Sequence, residues 1–173
     1  MDIDSARARR DREGNRAKEA RETMDQRPLA EGIYRMVGAA PRLLGGRRKS
    51  DGKYAFPLPR GADGALYDQV DLASEGVLWS FTVQRFRPKT PYAGAGDAKS
   101  FAPYAVGYVE LPGQIIVESH IVADDFSTLK IGAPVRLTLV PFREDPDGTQ
   151  VMIYGFEVAD TGQRNSQSGS HPQ

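Results

Sequence analysis

The residues that could do chemistry are few, and the first fact about them is an absence: the 173 residues contain no cysteine. Thiolate nucleophiles, thiolate metal sites and disulfides are thereby excluded. His120 is the only histidine outside the last few residues. Ser119 precedes it, but neighbours on a strand point to opposite faces, so the two cannot form a dyad directly. His120 with Asp124 and Asp125 offers one imidazole and two carboxylates near a turn, a poor metal set. Asp145 and Asp147 flank Pro146 and read as turn formers rather than acids. What remains is binding chemistry. Arg42, Arg47, Arg48, Lys49 and Lys53 form one cationic cluster, and Arg85, Arg87 and Lys89 form a second where a strand ends. Trp79, Phe81, Tyr104, Tyr108, Tyr154 and Phe156 supply aromatic surface. Core packing suits Trp79 and Phe81, and core or partner packing suits Tyr104 and Tyr108. The alternative is a platform that stacks single-stranded nucleic acid.

The elements that must position these residues are mostly strands. Val77 to Arg87 alternates, placing Val77, Trp79, Phe81 and Val83 on one face. A loop rich in Pro, Gly and Ala runs from Pro88 to Pro103. Tyr104–Leu111 and Gln114–Val122 flank Pro112-Gly113 and read as a hairpin. Asp124 to Leu129 reads as a helical turn with Asp124 as its cap. Val135–Phe142 and Gln150–Val158 flank the turn Glu144–Gly148. Five strands with this spacing predict a small closed barrel, which hides the edges a short open sheet would expose. Upstream, Pro28 opens a segment in which Leu29, Ile33, Met36 and Val37 recur at helical spacing, predicting an amphipathic helix over 28–40 that docks on the barrel or on a partner. Residues 41–75 are rich in Gly and Pro and read as irregular. Within them Leu43-Leu44 and Tyr54-Ala55-Phe56 predict a small hairpin around Ser50-Asp51-Gly52. Residues 1–27 read as a charged helical or disordered arm, residues 76–159 as the barrel domain, and residues 160–173 as a disordered tail.

Charge is balanced overall but not along the chain. Residues 1–53 carry 14 Lys/Arg against 9 Asp/Glu, and the rest carry 9 against 14. Zero net charge argues against a general nucleic-acid binder. The charged N-terminus is not followed by a signal-peptide core, and no stretch approaches the roughly 20 apolar residues of a membrane helix. A cytoplasmic protein is expected.

From Leu29 to Val158 the chain resembles a family of small accessory proteins encoded beside thiolases and related acyl-CoA enzymes. The resemblance rests on ordered motifs. Glu31-Gly32 matches an N-terminal signature, and Leu43 to Gly52 matches the stretch of the family's first Cys-x-x-Cys-Gly. Phe56-Pro57-Leu58-Pro59 matches a following Phe-Pro-Pro. Gly76–Val83 and Pro103–Leu111 resemble the first two barrel strands, and Leu129–Val135 the entry to the fourth. The resemblance implies an all-β core: a five-stranded OB-fold barrel preceded by an N-terminal helix and a rubredoxin-like zinc ribbon. Here the ribbon is degenerate and metal-free. Arg48 and Asp51 stand at the first two cysteine positions, and the second pair is missing around Gly61 to Gly64. A cation and an anion cannot replace two thiolates on zinc, though they can pair with each other.

The resemblance further implies a non-catalytic scaffold subunit of a thiolase-like or acyl-CoA C–C bond-cleaving or -forming enzyme, with the nucleophile on the partner. Acyl-CoA would be shared with that partner rather than held firmly, with Arg85, Arg87 and Lys89 as contacts for CoA phosphates. Leu29, Ile33, Met36 and Val37 are the expected partner-binding residues. No zinc, no other metal and no membrane are expected, and a nucleic acid is the less favoured partner.

Overall fold

The computed structural model describes residues 26–94 and 99–159. The expectations for the tail, and for the arm up to residue 25, lie outside the described residues. Ten strands follow one another: β1 (Gln26–Pro28), β2 (Tyr34–Val37), β3 (Ala40–Arg48), β4 (Tyr54–Ala55), β5 (Tyr67–Asp71), β6 (Glu75–Gln84), β7 (Tyr104–Leu111), β8 (Ile115–Val122), β9 (Pro134–Glu144) and β10 (Gln150–Val158). Short 3₁₀ turns at Gly61–Leu66 and Phe126–Thr128 are the described helical pieces. No helix among the described residues is long and apolar enough to cross a membrane.

The last five strands close into a barrel. Their order is β10-β8-β7-β6-β9, and β9 pairs back onto β10. The five-stranded OB-fold barrel expected from the sequence is therefore present. Its strands fall within a few residues of the alternating segments, because each buries one face. On β7, Ala105, Val109 and Leu111 are buried, and on β8, Val117 and Ile121. Leu78 and Phe156 complete the centre at 0% exposure. Each of these side chains larger than alanine contributes about 1.5–3 kcal/mol by leaving water.

One alternation breaks. β6 slips register against β7 between Leu78 and Ser80. Such a β-bulge sets two residues against one and turns the strand by half a pleat. Gly76 and Leu78 face inward before it, while Phe81 and Val83 pack against the core after it. Trp79 sits at the break and faces solvent, 55% exposed. The expectation that Trp79 shares the buried face with Phe81 is corrected: strict alternation does not survive an inserted residue.

The helix expected over 28–40 is also corrected. β1 ends at Pro28, the chain bends, and β2 and β3 form a hairpin with Tyr34 opposite Leu43 and Val37 opposite Ala40. Gly32 and Gly38 have φ of +71° and +62°, which no α-helix contains. The apolar spacing is real, but the glycines, with β-branched Ile33 and Val37, impose turns and strands. Residues 41–75 are less irregular than their composition suggests, since β3 runs nine residues and pairs with β2, β4 and β5. The small hairpin around Ser50-Asp51-Gly52 is present as β3–β4, with Arg47 opposite Tyr54. This four-stranded sheet joins the barrel core through Leu43, at 0% exposure, and through Leu72 just beyond β5. The cap of the short turn is Asp125, not Asp124: its carboxylate accepts from the Ser127 N–H at 2.8 Å.

Candidate functional site

The barrel's outer surface opens where two strands part. β8 and β10 run parallel in register over His120–Val122 and Gly155–Glu157. Upstream of that, β10 takes β1 as its parallel neighbour, with Gln26 opposite Gln150. The divergence leaves a groove of 440 Å³ lined by Tyr104, Val106, Glu118, Ser119, His120, Ile153 and Tyr154. Tyr154 Oη donates to the Glu118 carbonyl at 2.8 Å and fixes one wall. Phe56 braces the same ring edge-on at 5.5 Å.

The other wall is a stack of flat groups. His120 lies on Tyr104 at 4.7 Å between ring centres, and Tyr104 lies on Tyr92 at 6.2 Å, both nearly parallel. The Arg87 guanidinium covers Tyr92 at 5.0 Å. Burial lowers the His120 pKa, because it disfavours the charged imidazole. Burial raises the Tyr104 and Tyr154 hydroxyls, and the negative charge of Glu118 adds to it at Tyr154. The groove therefore presents neutral hydrogen-bonding groups beside one carboxylate. Ser119 is buried, and its hydroxyl donates to the His120 carbonyl at 3.1 Å. As the strand geometry requires, it is no partner for the imidazole.

A second, apolar hollow of 220 Å³ adjoins the groove. Ile153 and Tyr154 line both. Leu29, Ala30, Ile33, Tyr34 and Met152 complete it. The Leu29 N–H donates to the Met152 carbonyl at 2.9 Å and holds this segment on β10. Of the four partner-binding residues expected from the sequence, the structure thus brings Leu29 and Ile33 together. Met36 and Val37 sit apart on β2, both exposed. The sequence reading missed Met152, Ile153 and Tyr154 as partners of Leu29. Their apposition depends on a parallel pairing across more than a hundred residues, which leaves no local signal.

The strand-end cations divide as well. Arg87 turns back on its own loop, over Tyr92 and toward the Gly94 carbonyl at 3.4 Å. Arg85 and Lys89 are exposed, with Phe86, 80% exposed, next to Arg85. The stack Arg87–Tyr92–Tyr104–His120 nevertheless runs unbroken from this cluster into the groove.

In the small sheet, the turn after β3 packs against the Gly61–Leu66 turn. The Lys49 N–H donates to the Leu66 carbonyl at 3.0 Å, and Lys49 Nζ to that of Ala65 at 2.9 Å. Arg48 spans the two: Nη1 meets Asp51 at 3.4 Å, and Nε and Nη2 donate to Tyr67 Oη at 3.1 and 3.0 Å. The donor set does not fit zinc. No cysteine exists, Arg48 is cationic, and Asp51 is engaged by Arg48 and Lys53. No group of three or more metal-ligating side chains gathers among the described residues.

Comparison with known proteins agrees with the barrel assignment. Residues 69–140, somewhat less than half of the chain, match the family model described as the C-terminal OB-fold domain of ChsH2. A solved structure, an Ltp2-ChsH2(DUF35) aldolase, is 24% identical with a TM-score of 0.48, over 68% of this chain and 84% of that one. No curated protein matches the chain.

Proposed function

We propose that this chain, whose barrel matches the ChsH2 C-terminal OB-fold family, is a non-catalytic accessory subunit of a cytoplasmic, thiolase-like enzyme that makes or breaks C–C bonds on acyl-CoA. The observation that carries the reading is the two-part trough on the barrel. Arg87 stands beyond one end, behind the Tyr92–Tyr104 stack; polar and aromatic groups with the Glu118 carboxylate lie in the middle, and an apolar hollow at the other end. Acyl-CoA has the same sequence of parts: phosphates, an amide-bearing arm and an acyl chain. The trough is open along its length, and its serine, Ser119, is buried with its hydroxyl on the His120 carbonyl rather than beside a base, so the trough serves as half of a site that a partner completes.

The partner class comes from the ordered motifs shared with accessory proteins of thiolases. Leu29 and Ile33 form the rim the partner covers, with Met36 and Val37 extending that contact. Arg85 and Lys89 meet CoA phosphates, and Arg87 acts through the Tyr92 stack. The small sheet is a metal-free form of the family's ribbon, clasped by Arg48 where the ribbon would hold zinc. Single-stranded nucleic acid fits less well, because Glu110 and Glu118 stand beside the outward aromatics Trp79 of β6 and Tyr108 of β7.

Co-expression with thiolase-like acyl-CoA enzymes of the same organism tests the proposal. The expected result is a stable complex whose acyl-CoA turnover exceeds that of the enzyme alone. Ile33→Asp should weaken the complex while far-UV dichroism of the barrel stays unchanged. Recovery of the tagged chain free of the enzyme would overturn the reading.

A further inference from the structure

We infer that this protein pairs with a second copy of itself, the Trp79–Tyr108 face of one barrel meeting the cationic edge of the other copy's small sheet. The face is on the outside of β6, β7 and β8. The bulge turns Trp79 outward, where it packs edge-on against Tyr108 at 6.3 Å. Tyr108 is 44% exposed, and Ile116 and Val77 beside it are also exposed. Pairing places Glu110 between Val77 and Ile116, and Glu118 opposite Tyr108. Two adjoining aromatics ringed by aliphatic groups form the kind of centre that dominates protein interfaces.

The charge pattern selects the occupant. β6, β7 and β8 contain three glutamates and not one Lys or Arg. Residues 26–71, which include the whole small sheet, contain eight Lys/Arg and five Asp/Glu. Ion pairs among the described residues do not join these regions: those of the small sheet stay within residues 35–71. Arg47 is exposed and has no carboxylate within 4 Å among the described residues, and Lys53 reaches Asp51 only at 3.9 Å. One chain therefore carries an acidic, aromatic face and a small sheet with an excess of cations, Arg47 opposite Asp68 among them, and no ion pair joins the two among the described residues. Two copies related by a two-fold axis exchange both contacts at once and close the assembly. A polyanion is repelled by Glu110 and Glu118, whereas an arginine or lysine side chain gains both a carboxylate and the face of Trp79.

Sedimentation velocity of the full chain at low salt provides the test. The expected result is a species of twice 19.0 kDa that dissociates on dilution and as salt rises. Trp79→Ala with Tyr108→Ala should raise the dissociation constant by about tenfold or more, with the thermal midpoint retained. Glu110→Lys with Glu118→Lys, and separately Arg47→Glu with Lys53→Glu, should each leave a monomer. Mixing those two charge-reversed proteins should restore a dimer. A wild-type chain that stays at 19.0 kDa, a dimer indifferent to Trp79 and Tyr108, or a mixture that fails to associate would each overturn the inference. If the Trp79 variant instead loses only the co-expressed enzyme, the face belongs to that subunit and self-pairing is wrong.

Discussion

The barrel and the small sheet solve the same problem, holding a few short strands in place, by different physics. The barrel closes its hydrogen-bonded ring and fills it with Leu78, Val109, Val117, Ile121 and Phe156. The small sheet has one large side chain fully inside, Leu43, and that side chain belongs to the barrel's cluster. Its remaining order comes from polar clasps: Arg35 on Asp71 at 2.6 Å, Lys49 on Ala65, and Arg48 between Asp51 and Tyr67. Exposed clasps of this kind set geometry more than stability. A sheet this small cannot bury enough surface to stand alone, so it borrows its stability.

Removing the loan should cost most. Leu43→Ala is expected to destabilise the protein by about 2–5 kcal/mol, as Leu78→Ala does within the barrel. Both should give a single denaturant transition. Two transitions in Leu43→Ala would show that the small sheet unfolds by itself and holds a stability of its own.

The pH response should come next, and it belongs to the barrel. Burial depresses His120 below its ordinary 6.5. The unfolded chain then takes up a proton that the native state refuses. The contribution of His120 is complete above pH about 6.5 and is lost as pH falls from there toward the depressed value. Thermal midpoints of the wild type should therefore decline over that range, and His120→Phe should flatten the decline. An unchanged profile would show that the imidazole is not held neutral. A second loss at lower pH is shared: in the barrel's turns hydrogen bonds hold the Asp125, Asp145 and Asp147 carboxyls down, and the small sheet adds one more. There the Asp71 carboxyl is held down first by its hydrogen bond from Arg35, and its share disappears as pH falls through that lowered value.

Arg48→Ala should act more locally. Amide exchange at Lys49, Gly52 and Tyr67 should quicken, with barrel amides unaffected. Spread of the effect into β7 or β8 would make the clasp more than local. The smallest effect expected is none: chelators should leave the melting curve of the purified chain unmoved, whereas a zinc-held ribbon would unravel.

Most of the barrel was legible in the sequence because alternation, turn residues and strand length all point the same way between Gly76 and Val158. The Arg48–Asp51 pair was legible from two charges three residues apart. Trp79 was not, since a bulge changes phase without changing composition. The segment from Leu29 to Val37 misled for the opposite reason. Its apolar spacing fits a helix, and only the backbone angles demanded of Gly32 and Gly38 rule one out. Of the trough, the cations were visible locally. The Leu29 hollow and the diverging strands depend on β1 finding β10 from the far end of the chain.

Tyr154 stands at the seam of the trough, with its ring shared by both compartments and its hydroxyl tied to the backbone of β8. A guest that fills only one compartment leaves half of that ring in water. A guest spanning both covers the ring from end to end. If the trough takes acyl-CoA as proposed, the seam acts as a gauge, grading molecules by reach rather than by any single functional group.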